Sequence, residues 1–333
     1  MRRIGVLTSG GDSPGMNAAV MAVAKSARYY GMSLIGIKRG YNGTLCRSHH
    51  IEDDMVELDL DTILDIADQP GTYLRTARCL DFIRPEMRVH AANNIREMGI
   101  EGVVVIGGDG SFRGARDLSQ RGIPCVGLPG TIDNDIACCD YTIGYDTCMN
   151  TIMEMVDRIR DTAESHDRCM VVEVMGRRAG YLALNAGIAV GATAILIPEI
   201  EFDIQKDVIE RMKRTLRTDK KHFLIIVAEG VGINVNELAK EIQAKTGVES
   251  RACVLGHVQR GGSPTARDRV LATQMGNYAV KNLLMKGIGN RVVAIHQDKI
   301  VDYDIFEALN MEKHIDPEPV SYTHLRAHET RRH

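Results

Sequence analysis

The fold is decided by residues 125–135, which read Cys-Val-Gly-Leu-Pro-Gly-Thr-Ile-Asp-Asn-Asp. The apolar run 125–128 predicts a short buried strand, and the turn after it carries Thr131, Asp133 and Asp135. In an open α/β sheet, the carboxyl ends of the strands hold the chemistry. Two carboxylates spaced i, i+2 beyond a glycine can divide the tasks of holding Mg²⁺ and taking a proton from a hydroxyl. The stretch therefore predicts an α/β protein with acidic side chains at a strand end.

Two further predicted strands lead into glycine-rich turns. Residues 4–7 (IGVL) run into TSGGDSPGMN at 8–17, and residues 103–106 (VVVI) run into GGDGS at 107–111. Glycine lets the backbone approach a phosphate, and the N-terminus of a following helix supplies free N–H groups and a favourable dipole. Neither turn is a Walker A motif or a G-x-G-x-x-G motif. Together with the acidic turn, the two loops predict a polyphosphate site.

Strands and helices alternate along the rest of the chain, which is typical of a doubly wound, mainly parallel sheet. Further strands are predicted at 170–174, 194–197, 223–227, 252–255 and 292–295. Helices are predicted at 146–163, 235–245 and 266–285.

The composition argues against several classes of protein. The 333 residues are 44% hydrophobic and 26% charged, enough to bury the core of one large domain or of two smaller ones. A formal net charge of −3 gives no nucleic-acid footprint. The eight cysteines show no C-x-x-C spacing, so we expect reduced thiols in a cytoplasmic protein rather than disulfides or zinc. Without a signal peptide or an apolar stretch of about 18 residues, we expect neither export nor a membrane partner.

Four signatures appear in order: GVLTSGGDSPGMNA at 5–18, VVIGGDGS at 104–111, GLPGTIDNDI at 127–136 and LGHVQRGGSP at 255–264. By these signatures the chain closely resembles the bacterial ATP-dependent 6-phosphofructokinase (phosphofructokinase A) family, from about Arg3 to about Asp316. The resemblance implies transfer of the ATP γ-phosphate to the 1-hydroxyl of D-fructose 6-phosphate. The products would be fructose 1,6-bisphosphate and ADP, in the committed step of glycolysis.

The resemblance also implies two similar doubly wound lobes with the active site between them. Residues 1–145 and 257–309 would form an ATP-binding lobe, and residues 146–256 and 310–320 a sugar-phosphate-binding lobe. Residues 321–333 depart from the family, which has a helix at its C-terminus. We interpret this basic segment as a non-native tail rather than as a metal site at His324 and His328.

The resemblance assigns chemical roles to the motif residues. Asp133 would be the general base, Thr131 would place a hydroxyl nearby, and Arg177 would stabilise transition-state charge. Asp109 would hold Mg²⁺, with Asp135 shaping the surroundings of the metal. ATP would bind the residues that match the family's nucleotide motifs: Gly11, Arg78, Cys79, Gly108, Asp109, Gly110 and Ser111. The N–H of Gly11 would donate to the transferring phosphate.

A sugar phosphate needs arginines, because guanidinium groups bind a dianion in bidentate fashion. The resemblance implies a sugar site made of Thr131, Asp133, Arg168, Met175, Gly176, Arg177, Glu229, Arg251, His257 and Arg260. Arg168 and Arg251 would reach into the site of a neighbouring subunit. A closed homotetramer is then the expected form.

Three alternative functions make different predictions for these positions. A pyrophosphate-dependent relative would carry Asp where Gly110 stands and Lys where Gly130 stands, and glycine at both positions favours ATP. A dinucleotide-binding oxidoreductase would need G-x-G-x-x-G and an acidic residue after the second strand, where Lys38 and Arg39 stand. A non-catalytic relative would be expected to lack Asp133 or Asp109.

The family's second, basic pocket, which binds allosteric effectors, is altered in this chain. Met21, Leu60, Thr193 and Thr218 stand where the pocket has Arg, Arg, Glu and Lys, and Lys25 replaces a further Arg. The candidates that remain are Lys25, Asp65, Arg160, Lys220 and His222. The resemblance therefore implies an allosteric enzyme with weakened or different feedback.

Overall fold

A computed structural model describes residues 1–46, 51–316 and 318, apart from the side chains of residues 51, 52 and 62. The described chain forms two compact units. Unit 1 comprises Met1–Ile132, Ile136–Thr147 and Arg260–Lys313, and unit 2 comprises Asp133–Asp135, Cys148–Gln259 and the described residues from His314 onward. The predicted ATP-binding and sugar-phosphate-binding lobes stay a prediction, and the tail at 321–333 lies outside the described residues.

The eleven strands within the described residues are β1 Arg3–Ser9, β2 Ser33–Ile37, β3 Met55–Glu57, β4 Val103–Gly107, β5 Cys125–Pro129, β6 Cys169–Val174, β7 Ala194–Leu196, β8 Phe223–Ala228, β9 Ser250–Val254, β10 Arg291–His296 and β11 Lys299–Asp304. The α-helices described are α1 Met16–Tyr29, α2 Tyr41–Thr44, α3 Ile51–Asp54, α4 Leu60–Ile63, α5 Pro85–Glu97, α6 Asp109–Ser119, α7 Tyr145–Ser165, α8 Tyr181–Ala189, α9 Glu210–Thr215, α10 Val235–Thr246, α11 Ala266–Tyr278 and α12 Ile305–Ala308.

Unit 1 is built on a seven-stranded sheet of order β11-β10-β5-β4-β1-β2-β3. Its five central strands pair in parallel, and the edge strands β3 and β11 pair antiparallel. All residues of β4 and β5 are buried, which explains their unbroken apolar sequences, because helices cover both faces of a parallel sheet. The carboxyl ends of β1, β4 and β5 therefore meet at one edge of this sheet.

Unit 2 is built on a four-stranded parallel sheet of order β7-β8-β6-β9. Its core packs β8, which is buried throughout, against Val235, Leu238 and Ile242 of α10. Helix α10 begins where the Asn234 side chain accepts from the N–H groups of residues 236 and 237, and it ends at Gly247, whose φ is 75°. The predicted α/β class with two mainly parallel sheets is confirmed.

Several elements differ from the expectation. The helix predicted at 266–285 is α-helical only to Tyr278 and continues as a π-helical turn, Ala279–Leu283, and a 3₁₀ turn, Leu284–Lys286. Strand β11 (KIVDYD) and helix α5 (PEMRVHAANNIRE) were not predicted, because neither carries an uninterrupted apolar run. None of the helices within the described ranges has the length and apolar character needed to cross a membrane.

Helices α1 and α11 approach closely at Gly276. A Cβ atom on Gly276 would lie 2.7 Å from the Cβ of Ala22 and 3.2 Å from the carbonyl oxygen of Ala19. We predict that Gly276→Leu lowers the free energy of unfolding by about 1–3 kcal/mol through overpacking. This loss exceeds the gain in helix propensity, which is below about 1 kcal/mol.

Urea denaturation checks this, with Gln274→Leu at an exposed position of the same helix as the matched control. The control should unfold near the wild-type midpoint. A Gly276→Leu protein as stable as the control would show that the two helices are not in close contact here.

Candidate active site

The two predicted glycine loops lie side by side in unit 1. Ser111 Oγ donates to the carbonyl oxygen of Ser9 at 3.0 Å, and a Cβ on Gly10 would lie 3.5 Å from Ser111 Oγ. A Cβ on Gly107 would clash with both the Ser9 carbonyl and Ser111 Oγ. Only glycine therefore lets the carboxyl ends of β1 and β4 come this close. The result is one sheet edge where the backbone of both loops can meet a phosphate chain.

Asp109 opens helix α6 and keeps its carboxylate accessible. Its side chain is 39% exposed and accepts from Arg113 Nε at 3.0 Å, one turn along the helix. A negative charge in the first turn of a helix is favoured by the helix dipole. Exposed ion pairs of this kind contribute little, so Arg113 does not hold Asp109 away from a cation.

Thr131 lies beside the second loop. A Cβ on Gly108 would lie 3.9 Å from the Cβ of Thr131. Thr142 Oγ1 donates to the carbonyl oxygen of Thr131 at 2.7 Å, and a β-bridge joins Gly130 to Ile143. The turn after β5 is thus fixed by the segment that leads into α7.

Gly110 and Gly130 have opposite surroundings. A Cβ on Gly110 would meet no atom within 4 Å, so a side chain there would project into open space. A Cβ on Gly130 would lie 3.0 Å from Ile106 Cγ2 and 3.3 Å from Met16 Cε. A larger residue at 130 would press on the core, whereas one at 110 would fill only space that a ligand could use.

The segment that carries Arg78 and Cys79 is tied to the first loop. Thr76 Oγ1 donates to the carbonyl oxygen of Gly10 at 2.9 Å. Cys79 immediately precedes the 3₁₀ turn Leu80–Ile83. The segment that leads to Arg78 and Cys79 therefore contacts the first glycine loop at Thr76.

No sequence pattern identified Tyr41 as a residue that supports the site. Its hydroxyl donates to the Ser111 carbonyl oxygen at 2.5 Å, and its ring stacks on Phe82 with centroids 4.4 Å apart. A Cβ on Gly114 would lie 2.6 Å from the Tyr41 ring, so this contact needs a glycine in α6. Burial raises the pKa of Tyr41 well above its usual value. The hydrogen bond joins residues 70 positions apart, which no local pattern reveals.

Arg260 lies on the first glycine loop. Its Nη1 donates to the carbonyl oxygen of Asp12 at 2.9 Å, and a Cβ on Gly11 would lie 2.7 Å from that nitrogen. Gly11 itself is exposed. Arg260, which the resemblance assigns to the sugar site, therefore contacts the loop that is predicted to bind the transferring phosphate.

In unit 2, Glu229 and the turn after β6 are joined. Glu229 Oε1 accepts a hydrogen bond from the backbone N–H of Arg177 at 2.6 Å. Gly176 has a φ of 138°, a backbone conformation that residues with a side chain rarely adopt. Gln259 was not predicted, although it lies in the LGHVQRGGSP signature. Its Oε1 accepts from Met175 N at 3.1 Å and its Nε2 donates to the Gly256 carbonyl oxygen at 2.9 Å. Gln259 thereby holds the turn at 175 to the 3₁₀ turn Gly256–Arg260, which presents an exposed His257.

Arg168 and Arg251 share one carboxylate. Glu249 pairs with Arg168 Nε at 3.0 Å and with Arg251 Nη2 at 2.7 Å. The close contact with Arg168, followed by the charges of Arg168 and Arg251, holds the pKa of Glu249 below its usual range. The structure therefore brings the two predicted phosphate-binding arginines together, on a glutamate that the sequence analysis missed.

The acidic turn itself is compact. Asp133 is 7% exposed and Asn134 is 5% exposed with a φ of 53°. Asp135, with Glu199, contributes to raising the pKa of Tyr181 to about 12, although burial of the phenol is the larger cause. These residues belong to unit 2.

The effector candidates fall into two groups. Lys25 and Asp65 are exposed residues of unit 1, whereas Arg160, Lys220 and His222 are grouped in unit 2. Burial, with the charge of Arg160, lowers the pKa of Lys220, and burial, with the charge of Lys220, lowers that of His222. His222 Nε2 lies 3.3 Å from Glu164 Oε1, which partly offsets this positive charge.

Comparisons with known proteins agree with these motifs. Residues 3–283 match the family described as Phosphofructokinase. The ATP-dependent 6-phosphofructokinase of Bacillus velezensis is 54% identical over 317 residues, covering 95% of this chain and 97% of the relative. The enzyme of the same name from Bacillus cereus is 54% identical over 316 residues, covering 95% of this chain and 96% of the relative.

Solved structures show the same fold. Phosphofructokinase from Saccharomyces cerevisiae superposes with a TM-score of 0.86 at 34% identity, over 99% of this chain and 48% of the yeast chain. This chain thus spans about half the length of the yeast protein. A pyrophosphate-dependent phosphofructokinase from Marinobacter aquaeolei has a TM-score of 0.82 at 23% identity, over 96% of this chain and 86% of that chain, which shows the fold alone.

Proposed function

The chain belongs to the phosphofructokinase family, and from this premise we propose how its residues carry the reaction. It is an ATP-dependent 6-phosphofructokinase, a phosphotransferase of glycolysis. We propose that it moves the γ-phosphate of ATP to the 1-hydroxyl of fructose 6-phosphate, in the cytoplasm. The observation that carries this proposal is the pair of glycine loops held together at one sheet edge, with Asp109 at the start of α6.

Asp133 is the proposed general base. Phosphoryl transfer asks the protein mainly to position the nucleophile and to stabilise charge. A carboxylate that is 7% exposed can take the proton of the sugar hydroxyl while little water competes for it. Thr131 supplies a hydroxyl beside the second loop, and Arg177 supplies positive charge from the turn that Glu229 holds.

ATP is proposed to bind the two loops and the segment tied to them. The N–H of Gly11 would meet the transferring phosphate, and Gly108, Gly110, Ser111, Arg78 and Cys79 would hold the rest of the nucleotide. Nothing among the described residues gathers three or more His, Cys, Asp or Glu side chains for a metal. Mg²⁺ typically needs only one or two carboxylates besides substrate phosphates, and the exposed Asp109 fits that requirement. When bound, Mg²⁺ neutralises phosphate charge.

The sugar phosphate is proposed to bind the arginines of unit 2 together with Arg260. Arg168 and Arg251 already share Glu249, so a phosphate dianion would compete with that carboxylate for both guanidinium groups. Met175, Gly176, His257 and Glu229 would contact the sugar, from the turns that Gln259 joins. We propose a homotetramer in which Arg168 and Arg251 serve the site of a neighbouring subunit.

The first test concerns the base. Asp133→Ser should lower kcat by about two to four orders of magnitude, because a general base acts only as the hydroxyl attacks. Fold and oligomeric state should be unchanged by circular dichroism and gel filtration. Asp161→Ser, at an exposed position of α7, is the control and should keep full activity. Near-normal turnover of Asp133→Ser would refute the assignment.

The second test concerns the phosphoryl donor. An Asp at 110 would project into open space that we assign to the nucleotide, so Gly110→Asp should lower kcat/KM with ATP by about a hundredfold or more while leaving thermal stability intact. Gly110→Ala should cost far less. A coupled assay with fructose 6-phosphate and either ATP or pyrophosphate measures both. Equal use of the two donors by the wild-type enzyme would contradict this account of Gly110.

The third test concerns regulation. The altered pocket has lost three cations and one carboxylate relative to the family pattern, and each charged hydrogen bond contributes roughly 1.5–3 kcal/mol. Since an effector shifts an equilibrium only through its differential affinity for two states, phosphoenolpyruvate should hardly change the fructose 6-phosphate saturation curve. A large rightward, sigmoidal shift that disappears in Lys220→Ala would show that the pocket still functions.

A further inference from the structure

Asp268 has a buried carboxylate and is not one of the proposed catalytic or binding residues. It is 0% exposed and accepts three hydrogen bonds, from Gly144 N at 2.8 Å, Thr147 N at 2.9 Å and Thr147 Oγ1 at 2.5 Å. The carboxylate therefore caps the N-terminus of α7 from the first turn of α11, in the way that an N-cap side chain does within one helix. All three residues belong to unit 1.

The starts of the two helices interlock through further bonds. Thr265, the N-cap of α11, donates its N–H to Thr147 Oγ1 at 3.0 Å and its hydroxyl to Asp146 Oδ2 at 2.6 Å. Burial raises the pKa of Asp268 in spite of its three donors. Among the described residues, Asp268 forms no ion pair, and a buried charge of this kind is costly unless it is fully hydrogen-bonded. The bonds from Gly144 and Thr147 are therefore what stabilises the buried carboxylate.

The segment that Asp268 holds is packed against the first glycine loop. Ser13 Oγ donates to the carbonyl oxygen of Ile143 at 2.6 Å, and a Cβ on Gly144 would clash with Ser13 Oγ. A Cβ on Gly15 would lie 2.8 Å from Ile143 Cγ2 and 3.6 Å from the Cβ of Asp268. The loop can therefore not move without disturbing residues 143–147, and those residues are fixed by Asp268.

We propose that Asp268 is a positioning residue for phosphoryl transfer, which acts through Gly144 and Thr147 to set the backbone of the loop at 10–15. This inference rests on the proposed role of the Gly11 N–H at the transferring phosphate. A displacement of about 1 Å far from the chemistry can cost a hundredfold in rate. Asp268 itself touches neither substrate in this account.

A positioning role and a merely structural role predict different kinetics. In the proposed function, the loop at 107–111 would hold ATP in the ground state without contacting Asp268. Loss of the Asp268 contacts should therefore lower kcat while leaving KM for ATP nearly unchanged, since an interaction with the transferring group is strongest in the transition state. General destabilisation would also lower the apparent kcat at unchanged KM by reducing the amount of active enzyme, so kcat is calculated per folded molecule as measured by circular dichroism.

The test uses Thr147, because Asp268→Asn would turn its NH2 group toward the backbone N–H of either Gly144 or Thr147 and so risks misfolding. Thr147→Val removes the hydroxyl that bridges Asp268 and Thr265, and Thr147→Ser keeps it. We expect kcat of the full-length Thr147→Val enzyme to fall about tenfold or more, KM for ATP to stay within about twofold, and Thr147→Ser to restore most of the rate. Wild-type kcat in Thr147→Val, or an equal loss in Thr147→Ser, would overturn the proposal.

A second measurement does not depend on the proposed function. Amide hydrogen exchange of the substrate-free protein should become faster in Thr147→Val at residues 10–15 and 143–147, and remain as in wild type at 107–111. Unchanged exchange at 10–15 would refute the coupling between Asp268 and the loop. If the wild-type protein transferred no phosphate, the proposed function would fail while this exchange pattern still decided the structural inference.

Discussion

One steric constraint governs the carboxyl edge of the seven-stranded sheet: β1 and β4 can end side by side only where the chain has no Cβ. Gly107 faces the Ser9 carbonyl at a distance that excludes any side chain, and Ser111 then bonds to that same carbonyl. The backbone of both loops is thereby exposed along one edge, which is what binding a polyphosphate requires. The accessible carboxylate of Asp109 and the open space at Gly110 are useful only because this edge exists.

The surrounding contacts hold that edge and balance its charges. Arg260 contacts the first loop, and Thr76 bonds the segment of Arg78 to that loop. Asp268 holds the residues that pack against Ser13. In unit 2, the charges of Arg168 and Arg251 are partly compensated, since Glu249 pairs with both of them. Because these side chains are partly exposed, the proposed sugar phosphate would compete with Glu249 for the two guanidinium groups at little cost in buried charge.

Much of the fold and of the candidate site could be predicted from the sequence because the signals are local. A buried strand followed by glycines marks both loops, and the apolar runs of β4, β5, β6 and β8 mark their sheets. Strand β11 escaped prediction because its side chains are only half-buried and polar residues interrupt it. Tyr41, Gln259 and Asp268 escaped because their partners lie 70, 84 and 124 positions away, and no spacing rule connects such residues.

The central claim is that the γ-phosphate of ATP is transferred to the oxygen of the sugar 1-hydroxyl. It is tested most directly by incubating the enzyme with fructose 6-phosphate and ATP that carries heavy oxygen throughout its γ-phosphate, and by following the products with phosphorus NMR. The account predicts ADP and fructose 1,6-bisphosphate, with heavy oxygen at the three non-bridging positions of the 1-phosphate and ordinary oxygen at the bridge to carbon. Label in free phosphate, or a bisphosphate formed equally well from unlabelled pyrophosphate, would contradict it.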